Sequence, residues 1–128
     1  MAEPFCPEMQ NLLADSAKNL GISYHSNKTV VTIEGPRFST KAESHMFRSW
    51  NCDVINMSTV PEVNLAREMK IHYASTAMST DYDCWHEDEE PVTWEMILET
   101  MKQNADSVIK LFLNVIPQIE EYDDVCLS

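Results

Sequence analysis

The sequence predicts an α/β fold in which a mostly parallel sheet is flanked by helices. Short β-branched or apolar runs alternate with stretches of helical periodicity. The resulting order of helix, strand, helix, strand, helix, strand and helix is typical of parallel sheets with right-handed crossovers. At 128 residues, 44% hydrophobic and 23% charged, the composition is that of a globular domain with one core. We expect this domain to cover residues 1–119 and to be followed by a disordered acidic tail, 120–128.

Local signals define the elements of the first half of the chain. Residues 7–20 place apolar side chains three and four apart, and Gly21 then suits a left-handed helix cap. Residues 29–33 are a β-branched run that ends in a Glu-Gly-Pro turn. A capping-box sequence at 40–43 predicts a helix that continues to about Trp50.

The same alternation continues in the middle of the chain. Residues 53–57 are typical of a buried strand, and a second capping-box sequence at 59–62 predicts a helix to about Met69. Residues 71–79 are apolar or small at both odd and even positions, which favours a third strand covered by helices on both faces.

The longest predicted helix, 93–116, follows an acidic loop at 81–91 and ends at Pro117. Its apolar residues recur at spacings of three and four, which predicts a single stripe that faces the core. The stripe consists of Trp94, Ile97, Leu98, Met101, Ala105, Val108, Ile109, Phe112 and Leu113.

Charge and motif content exclude several classes of function. Nine Lys+Arg against 21 Asp+Glu give a net charge of −12, which excludes a protein that tracks nucleic-acid phosphates with a basic face. No apolar run approaches about 18 residues and no secretion signal is found, so we expect no membrane partner and a cytoplasmic location, with the nucleus as a second one. Four cysteines without a CxxC pair, each in or beside an apolar stretch, indicate buried free thiols in a reducing compartment. No metal-ligand spacing and no glycine-rich nucleotide motif occurs, so no metal or cofactor is expected.

Candidate site residues follow from the fold class, because ligands of parallel α/β sheets bind beyond the carboxyl ends of the strands. These ends are the first loop (34–38), the second loop (56–59) and the third loop (79–85). The third loop places Asp81 and Asp83 two residues apart, which in an extended segment points both carboxyls to one side. Two such carboxyls can share a proton and donate it to a leaving group, the alternative being a pair of solvated loop acids.

The other two loops offer groups for a ring and for an anion. Arg37 and Phe38 supply a cation and an aromatic face that suit stacking on a flat ring, although a surface Arg and a core Phe are the ordinary alternative. The second loop places hydroxyls and backbone N–H groups at a helix N-terminus, which suits an anion or a sugar hydroxyl, or serves only to cap the helix. Together the loops would suit a heterocycle joined to a polar sugar.

Several blocks of the sequence, including EGPRF and TDYDCW, resemble the 5′-methylthioadenosine phosphorylases of the purine nucleoside phosphorylase superfamily. The blocks lie at 31–39, 42–44, 53–57, 60–63 and 77–85, and the resemblance is in register from Met1 to about Ile119. It implies a partial nucleoside phosphorylase fold, in which residues 1–119 are the C-terminal portion of the domain. It also implies the phosphorolysis of 5′-methylthioadenosine to adenine and 5-methylthioribose 1-phosphate, in methionine and purine salvage, with phosphate as co-substrate.

The resemblance assigns a role to each candidate residue. Asp81 would protonate N7 of the purine, and Asp83 beside it would help to select a 6-amino purine. Ser58 stands where the family contacts phosphate. The residues implied to bind the purine nucleoside are Phe38 and Thr80 at the base, Ile55, Asn56 and Met57 at the ribose, and Trp94, Ile97 and Leu98 at the methylthio group.

Two features depart from the family pattern. The family's chains are about twice as long, and their first half supplies a glycine-rich phosphate loop and further phosphate and ribose ligands that have no counterpart here. Because positioning a second reactant is worth about 7–11 kcal/mol, the resemblance implies a truncated product with little or no activity on its own. The family assembles as a trimer, so the alternative is a catalytically silent homologue that associates with full-length phosphorylase subunits. Lys70 also stands where the family commonly has glycine before a strand.

Overall fold

The computed structural model describes residues 2–85 and 93–119 of the chain. Within them the elements are α1 (Pro7–Asn19), β1 (Val30–Thr32), α2 (Lys41–Ser49), β2 (Val54–Asn56), α3 (Thr59–Glu68), α4 (Trp94–Val115) and a short 3₁₀ helix (Ile116–Gln118). The strands β1 and β2 pair in parallel, so α2 is the helix of a β–α–β crossover. The predicted α/β class, with parallel strands flanked by helices, is confirmed. The predicted acidic tail, 120–128, lies outside the described residues.

The sequence signals at the ends of α1 and α2 are confirmed. Gly21 adopts φ 68 just after α1, the left-handed conformation that glycine takes without steric penalty. At the start of α2, the Glu43 N–H donates to the Thr40 hydroxyl oxygen, and the Thr40 N–H donates back to the Glu43 carboxylate. These two bonds form the predicted capping box. Lys70 adopts φ 56 after α3, the left-handed region in which glycine is usual.

The second predicted capping box, at 59–62, is wrong. Ser58 is the N-cap residue of α3, and its side chain makes no capping hydrogen bond. The Glu62 carboxylate accepts from the Tyr73 hydroxyl at 2.7 Å instead of turning back to the helix start. The Thr59 hydroxyl accepts from the side-chain amide of Asn56. The turn between β2 and α3 is therefore held by Asn56.

The described residues contain no third strand, so the prediction of a strand at 71–79 is wrong. Their sheet consists of β1 and β2. Within the segment, the Tyr73 carbonyl accepts from the Cys6 N–H at 2.8 Å, and the Tyr73 ring lies 6.0 Å from the Phe5 ring. An apolar run becomes a strand only where a neighbouring strand supplies the ladder hydrogen bonds, and composition does not reveal that neighbour.

The main buried cluster lies between α1 and α4. Ala17 on α1 packs with Leu111 and Val115 on α4, and these three side chains are 3%, 5% and 4% exposed. The partly buried residues packed against this cluster are Leu12, Leu13 and Ile22. The crossover helix and α3 bury a second set of apolar side chains, which are Phe47, Val63 and Ala66.

The prediction that the apolar stripe of α4 faces the core is wrong, because a different face of the helix is buried. Leu111 and Val115, which are buried, do not belong to the stripe, whereas Leu113 is 69% exposed and Ile109 is 56% exposed. Periodicity locates the most apolar face of a helix but not the surface that covers it. The helix therefore leaves exposed a set of large apolar side chains, here called the α4 apolar face, which consists of Leu98, Met101, Ile109, Phe112 and Leu113.

Free thiols are found at the three cysteines that the structure describes, as predicted, but their expected burial is confirmed only for Cys6, because Cys52 is partly buried and Cys84 is exposed. Cys126 lies outside the described residues. In the described part of the chain, no helix combines the length and the apolar character needed to cross a bilayer.

Candidate functional site

The three candidate loops lie near one another at one edge of the structure. Met57 in the second loop places its Sδ atom 3.0 Å from the position that a Cβ would take at Gly35 in the first loop. These two loops follow the paired strands β1 and β2, so their contact is expected at the carboxyl ends of parallel strands. The third loop follows no strand among the described residues, and it reaches the others through Cys84, whose thiol points at the carbonyl oxygen of Ser39, just after the first loop, at 3.5 Å.

Asp81 is an exposed carboxylate that is oriented by its own loop. The Thr80 hydroxyl donates to Asp81 Oδ1 at 2.8 Å, and the Asp83 N–H donates to Asp81 Oδ2 at 3.3 Å. Because the side chain is exposed, the carboxylate remains open to a ligand. Thr80, predicted to lie beside a base, is therefore in direct contact with the predicted acid.

Asp83 is held by a different element. It adopts φ 60, so the loop is not extended at this residue, and the expectation that an extended segment points both carboxyls to one side is wrong. The Ser44 hydroxyl, which belongs to α2, donates to Asp83 Oδ2 at 2.6 Å. This distance is typical of a hydroxyl that donates to a carboxylate. The two carboxylates are therefore held by different groups, Asp81 by Thr80 and the Asp83 N–H of its own loop, and Asp83 by Ser44 of α2.

Cys84 lies beside the two acids but is not activated as a nucleophile. Burial, followed by the nearby negative charge of Asp83, raises the pKa of the Cys84 thiol above its ordinary value. Since the thiolate is the reactive form of cysteine, a raised pKa keeps this side chain in its unreactive form at neutral pH.

The first loop presents an aromatic face but not a free cation. Phe38 is 74% exposed, so it is not a core residue and its ring is open for stacking. Arg37 donates to both carboxylate oxygens of Glu43 at 2.7 Å and to the Phe38 carbonyl at 3.0 Å. The guanidinium is therefore not a free cation, although its side chain is 63% exposed, and its stacking on a flat ring stays a prediction. Its role here is to tie the loop that carries Phe38 to the start of α2.

This tie predicts a pH dependence. Hydrogen bonds from Arg37 and then from Thr40 hold the pKa of the Glu43 carboxyl far below its usual range. A carboxyl with a lower pKa in the folded chain stabilises the fold fully above its unfolded pKa of about 4.3, and this stabilisation is lost as the pH falls toward the folded value. We expect Glu43→Gln to lower Tm at pH 7, and the difference from wild type to shrink steadily between pH 5 and pH 3.

Thermal unfolding monitored by circular dichroism measures this difference. Glu68→Gln, at an exposed position at the end of α3, is the matched control for the same chemical change outside the ion pair, and its effect on Tm at pH 7 should be much smaller than that of Glu43→Gln. A Glu43→Gln difference that stays constant down to pH 3 would contradict the assigned ion pair.

The second loop is ordered by hydrogen bonds from its neighbours. The Asn56 side-chain oxygen accepts from the Thr32 hydroxyl at 2.9 Å, so β1 fixes the amide at the end of β2. Ile55 lies within β2 opposite Val31, and Met57 is 38% exposed. Ser58 is exposed at the start of α3. The structure thus places the predicted ribose-binding residues and the predicted phosphate-binding residue on one continuous stretch.

The residues predicted to surround a methylthio group lie in the first turns of α4. Trp94 is 63% exposed, Leu98 is 49% exposed and Ile97 is partly buried. A cleft of about 280 Å³ lies beside the first loop, lined by Ile33, Glu34, Arg37, Glu43 and Phe47. A wider, open cleft of about 580 Å³ lies along α4, and Leu98 lines it together with Glu99, Lys102 and Asp106. Among the described residues, no grouping of three or more His, Cys, Asp or Glu side chains could hold a metal.

Two contacts from α2 were not expected from the sequence. Ser44 is only 2% exposed and donates to Asp83, and the Arg48 guanidinium carbon lies 3.8 Å above the centre of the Trp85 ring. The Trp85 ring in turn meets Tyr82 edge to face at 6.3 Å. A polar Ser on the same face of α2 as the core residue Phe47 is the sequence signal that could have indicated Ser44, since buried polar side chains require a partner.

Comparisons with known proteins agree with this arrangement. The family model described as the phosphorylase superfamily matches residues 1–117. The chain is 58% identical over 123 residues to the S-methyl-5'-thioadenosine phosphorylase of Xenopus tropicalis, and 55% identical over 123 residues to that of Danio rerio. In both cases the match covers 96% of this chain and 44% of the relative. The chain therefore spans less than half the length of these curated relatives.

Solved structures of methylthioadenosine phosphorylases also match this chain over nearly its whole length and over about half of their own. The methylthioadenosine phosphorylase from Schistosoma mansoni in complex with adenine matches with a TM-score of 0.88 and 36% identity, over 98% of this chain and 50% of that one. A methylthioadenosine phosphorylase from an Antarctic soil metagenomic library matches with a TM-score of 0.85 and 40% identity, over 93% of this chain and 42% of that one. The match of the family model to nearly the whole chain establishes that the chain belongs to the phosphorylase superfamily.

Proposed function

We propose that this chain carries the base-binding and ribose-binding part of a 5′-methylthioadenosine phosphorylase site. The reaction is the phosphorolysis of 5′-methylthioadenosine to adenine and 5-methylthioribose 1-phosphate. The observation that carries this proposal is the 58% identity over 123 residues to a relative named for that activity. The reaction would serve methionine and purine salvage in the cytoplasm, and the proposed assembly is a trimer.

The chemistry assigns the central role to Asp81. An oxygen of phosphate attacks C1′ of the sugar, the bond between C1′ and N9 breaks, and its electron pair moves into the purine. A proton from the Asp81 carboxyl neutralises the purine at N7, so that adenine leaves as a neutral base. Two observations support this role: the carboxyl is exposed, and hydrogen bonds from Thr80 and Asp83 fix its orientation. General acid help of this kind is typically worth about 10²–10⁴ in rate.

The remaining roles concern binding. The exposed ring of Phe38 would stack on the purine, and Asp83 would accept a hydrogen bond from the 6-amino group. Ser58 and the first N–H groups of α3 would contact phosphate, because a helix N-terminus favours an anion. The other residues proposed to line the site are Thr80 at the base, Ile55, Asn56 and Met57 at the ribose, and Trp94, Ile97 and Leu98 at the methylthio group.

The experiment is the release of adenine from 5′-methylthioadenosine by the purified chain, with and without phosphate. We expect slow release that requires phosphate, far below the rate of a full-length relative, because orienting the nucleophile is worth about 7–11 kcal/mol. A full-length methylthioadenosine phosphorylase is the positive control. Circular dichroism on the same sample verifies folding. A folded chain that releases no adenine, or that releases it equally without phosphate, would contradict phosphorolysis by this chain.

A second candidate function is a catalytically silent subunit that associates with full-length phosphorylase. The α4 apolar face favours it, since large contiguous apolar surfaces commonly mark interaction sites. In a mixture with a full-length phosphorylase, this chain would co-elute with it in gel filtration. Leu113→Asp and Ile109→Asp, which place charges on that face, would abolish co-elution. A chain that elutes separately at micromolar concentrations would contradict this function.

A further inference from the structure

We infer that Ser44 is a positioning residue whose hydroxyl, from the buried face of α2, sets the orientation in which Asp83 meets a purine base. The nature of the ligand, a purine base, is taken from the proposed function. The contact between Ser44 and Asp83 is a feature of the fold and holds whether or not that function is correct. Nothing in the reaction itself requires α2 to touch the third loop.

The hydrogen bond has the properties of a fixed contact. Ser44 is 2% exposed, so its hydroxyl has no access to bulk water and must find its partner within the fold. That partner, Asp83 Oδ2, lies 2.6 Å away across 39 positions of sequence. A short bond between a buried donor and a carboxylate is about twice as strong as one between neutral groups.

The backbone of Asp83 makes this bond consequential. The residue adopts φ 60, a left-handed conformation that Asp takes more readily than most residues other than glycine. In this conformation the Asp83 carboxylate turns to α2, where it accepts the hydrogen bond from Ser44. Because the Asp83 N–H also donates to Asp81, a change at Asp83 is transmitted directly to the proposed acid.

A second contact from the same face of α2 strengthens the case. Arg48 lies four residues after Ser44, and residues at this spacing lie side by side on a helix. Its guanidinium stacks on Trp85 at 3.8 Å, a geometry typical of a cation–π interaction. The third loop is therefore fixed to α2 on both sides of Cys84, at Asp83 through Ser44 and at Trp85 through Arg48.

This geometry points to a role in selecting the base. With one carboxylate oxygen held by Ser44, Asp83 presents its remaining acceptor positions in one orientation. A 6-amino group donates a hydrogen bond to such an acceptor, whereas the 6-oxo group of hypoxanthine does not. Without the Ser44 hydroxyl, the carboxylate can rotate, and the preference for the amino purine falls.

The test measures the affinities of adenine and hypoxanthine by calorimetry for wild type, Ser44→Ala and the matched control Ser49→Ala. Ser49 lies on the same helix, and its hydroxyl donates to the nearby Met46 carbonyl, away from the third loop. We expect Ser44→Ala to lower the adenine-to-hypoxanthine preference about tenfold, which corresponds to about 1.4 kcal/mol, because the Asp83 carboxylate is no longer held in one orientation. Ser49→Ala should leave the preference unchanged.

A double-mutant cycle separates positioning from general destabilisation. In an Asp83→Gly background, where glycine tolerates the positive φ, Ser44→Ala should have no further effect on the preference. If Ser44→Ala does not unfold cooperatively, Ser44→Cys replaces the hydroxyl by a weaker donor of similar size and should lower the preference partway. An unchanged preference in Ser44→Ala, or an equal loss in the Asp83→Gly background, would overturn the inference.

A readout without ligand separates this inference from the proposed function. If wild type binds neither base, the proposed function is contradicted, and the carbon-13 resonance of the Asp83 carboxyl then decides the role of Ser44. Ser44→Ala should shift this resonance while Ser49→Ala leaves it in place. A resonance unmoved by Ser44→Ala would show that Ser44 does not hold the carboxylate.

Discussion

Replacing Asp81 with Asn is expected to lower phosphate-dependent adenine release by about 10²–10⁴, while the chain stays folded. Asn has nearly the same shape as Asp but cannot deliver a proton to N7. It can also keep both of the contacts that orient Asp81. Its amide oxygen can accept from the Asp83 N–H, and its NH₂ group can donate to the Thr80 hydroxyl, which rotates to accept. The lower rate of adenine release therefore measures the missing proton and not a change in the geometry of the loop.

The adenine-release assay gives the rates, with Asp15→Asn as the matched control. Asp15 is exposed on α1 and belongs to none of the three loops, so the same chemical change there should leave release unaffected. The affinity for adenine, measured separately, should fall far less than the rate, because N7 can still accept a hydrogen bond from the Asn amide. Turnover in Asp81→Asn equal to that of wild type would remove Asp81 from the role of acid.

Predictions from the sequence succeeded where the signal and its structural partner lie within a few residues of each other. The capping box of α2 needs only Thr40 and Glu43, and Gly21 needs only its own backbone to end α1. Both are confirmed, as is the α/β class, which depends on the order of elements. The capping box expected at 59–62 failed because other groups compete for the same side chains: Tyr73, 11 positions away, binds Glu62, and the nearby Asn56 binds Thr59.

The α4 stripe and the third strand failed for a related reason. Each apolar pattern marks a surface that is suited to burial. Whether that surface is buried depends on a second element, from another part of the chain, that packs on it. On α4 the observed partner is α1, which meets Leu111 and Val115 rather than the more apolar side. At 71–79 no strand among the described residues pairs with the segment.

The proximity of the three candidate loops was predicted from the sequence, but their internal contacts were not. The rule that ligands bind beyond parallel strands explains the contact of Gly35 with Met57, after β1 and β2. The third loop lies close through the contact of Cys84 with Ser39, although no strand precedes it among the described residues. The engagement of Arg37 by Glu43, and of Asp83 by Ser44, depends on where α2 packs. That packing is set by tertiary structure, which spacing along the sequence does not reveal. The roles proposed for these residues stay predictions until the variants are measured.

Leu111→Ala is expected to destabilise the chain by about 2–5 kcal/mol, the usual range for a buried Leu that leaves a cavity. Leu111 is 5% exposed and packs with Ala17 and Val115 in the cluster that joins α4 to α1. The cluster is small, so neighbouring side chains such as Leu12 and Leu13 are its main means of filling the space. Urea unfolding followed by circular dichroism measures the change in the free energy of unfolding.

Leu113→Ala is the control, since it makes the same substitution two residues further along the same helix. Leu113 is 69% exposed, and an exposed truncation should change the free energy of unfolding by no more than about 0.5 kcal/mol. The sequence stripe predicts the reverse order, because it contains Leu113 and not Leu111, so the pair of variants distinguishes the two orientations of α4. If both variants destabilise equally and the Leu113→Ala effect grows with protein concentration, the α4 apolar face is covered by another chain in solution, because binding to the folded state stabilises it by mass action. If Leu113→Ala lowers the free energy of unfolding and Leu111→Ala does not, the packing of α4 on α1 would be contradicted.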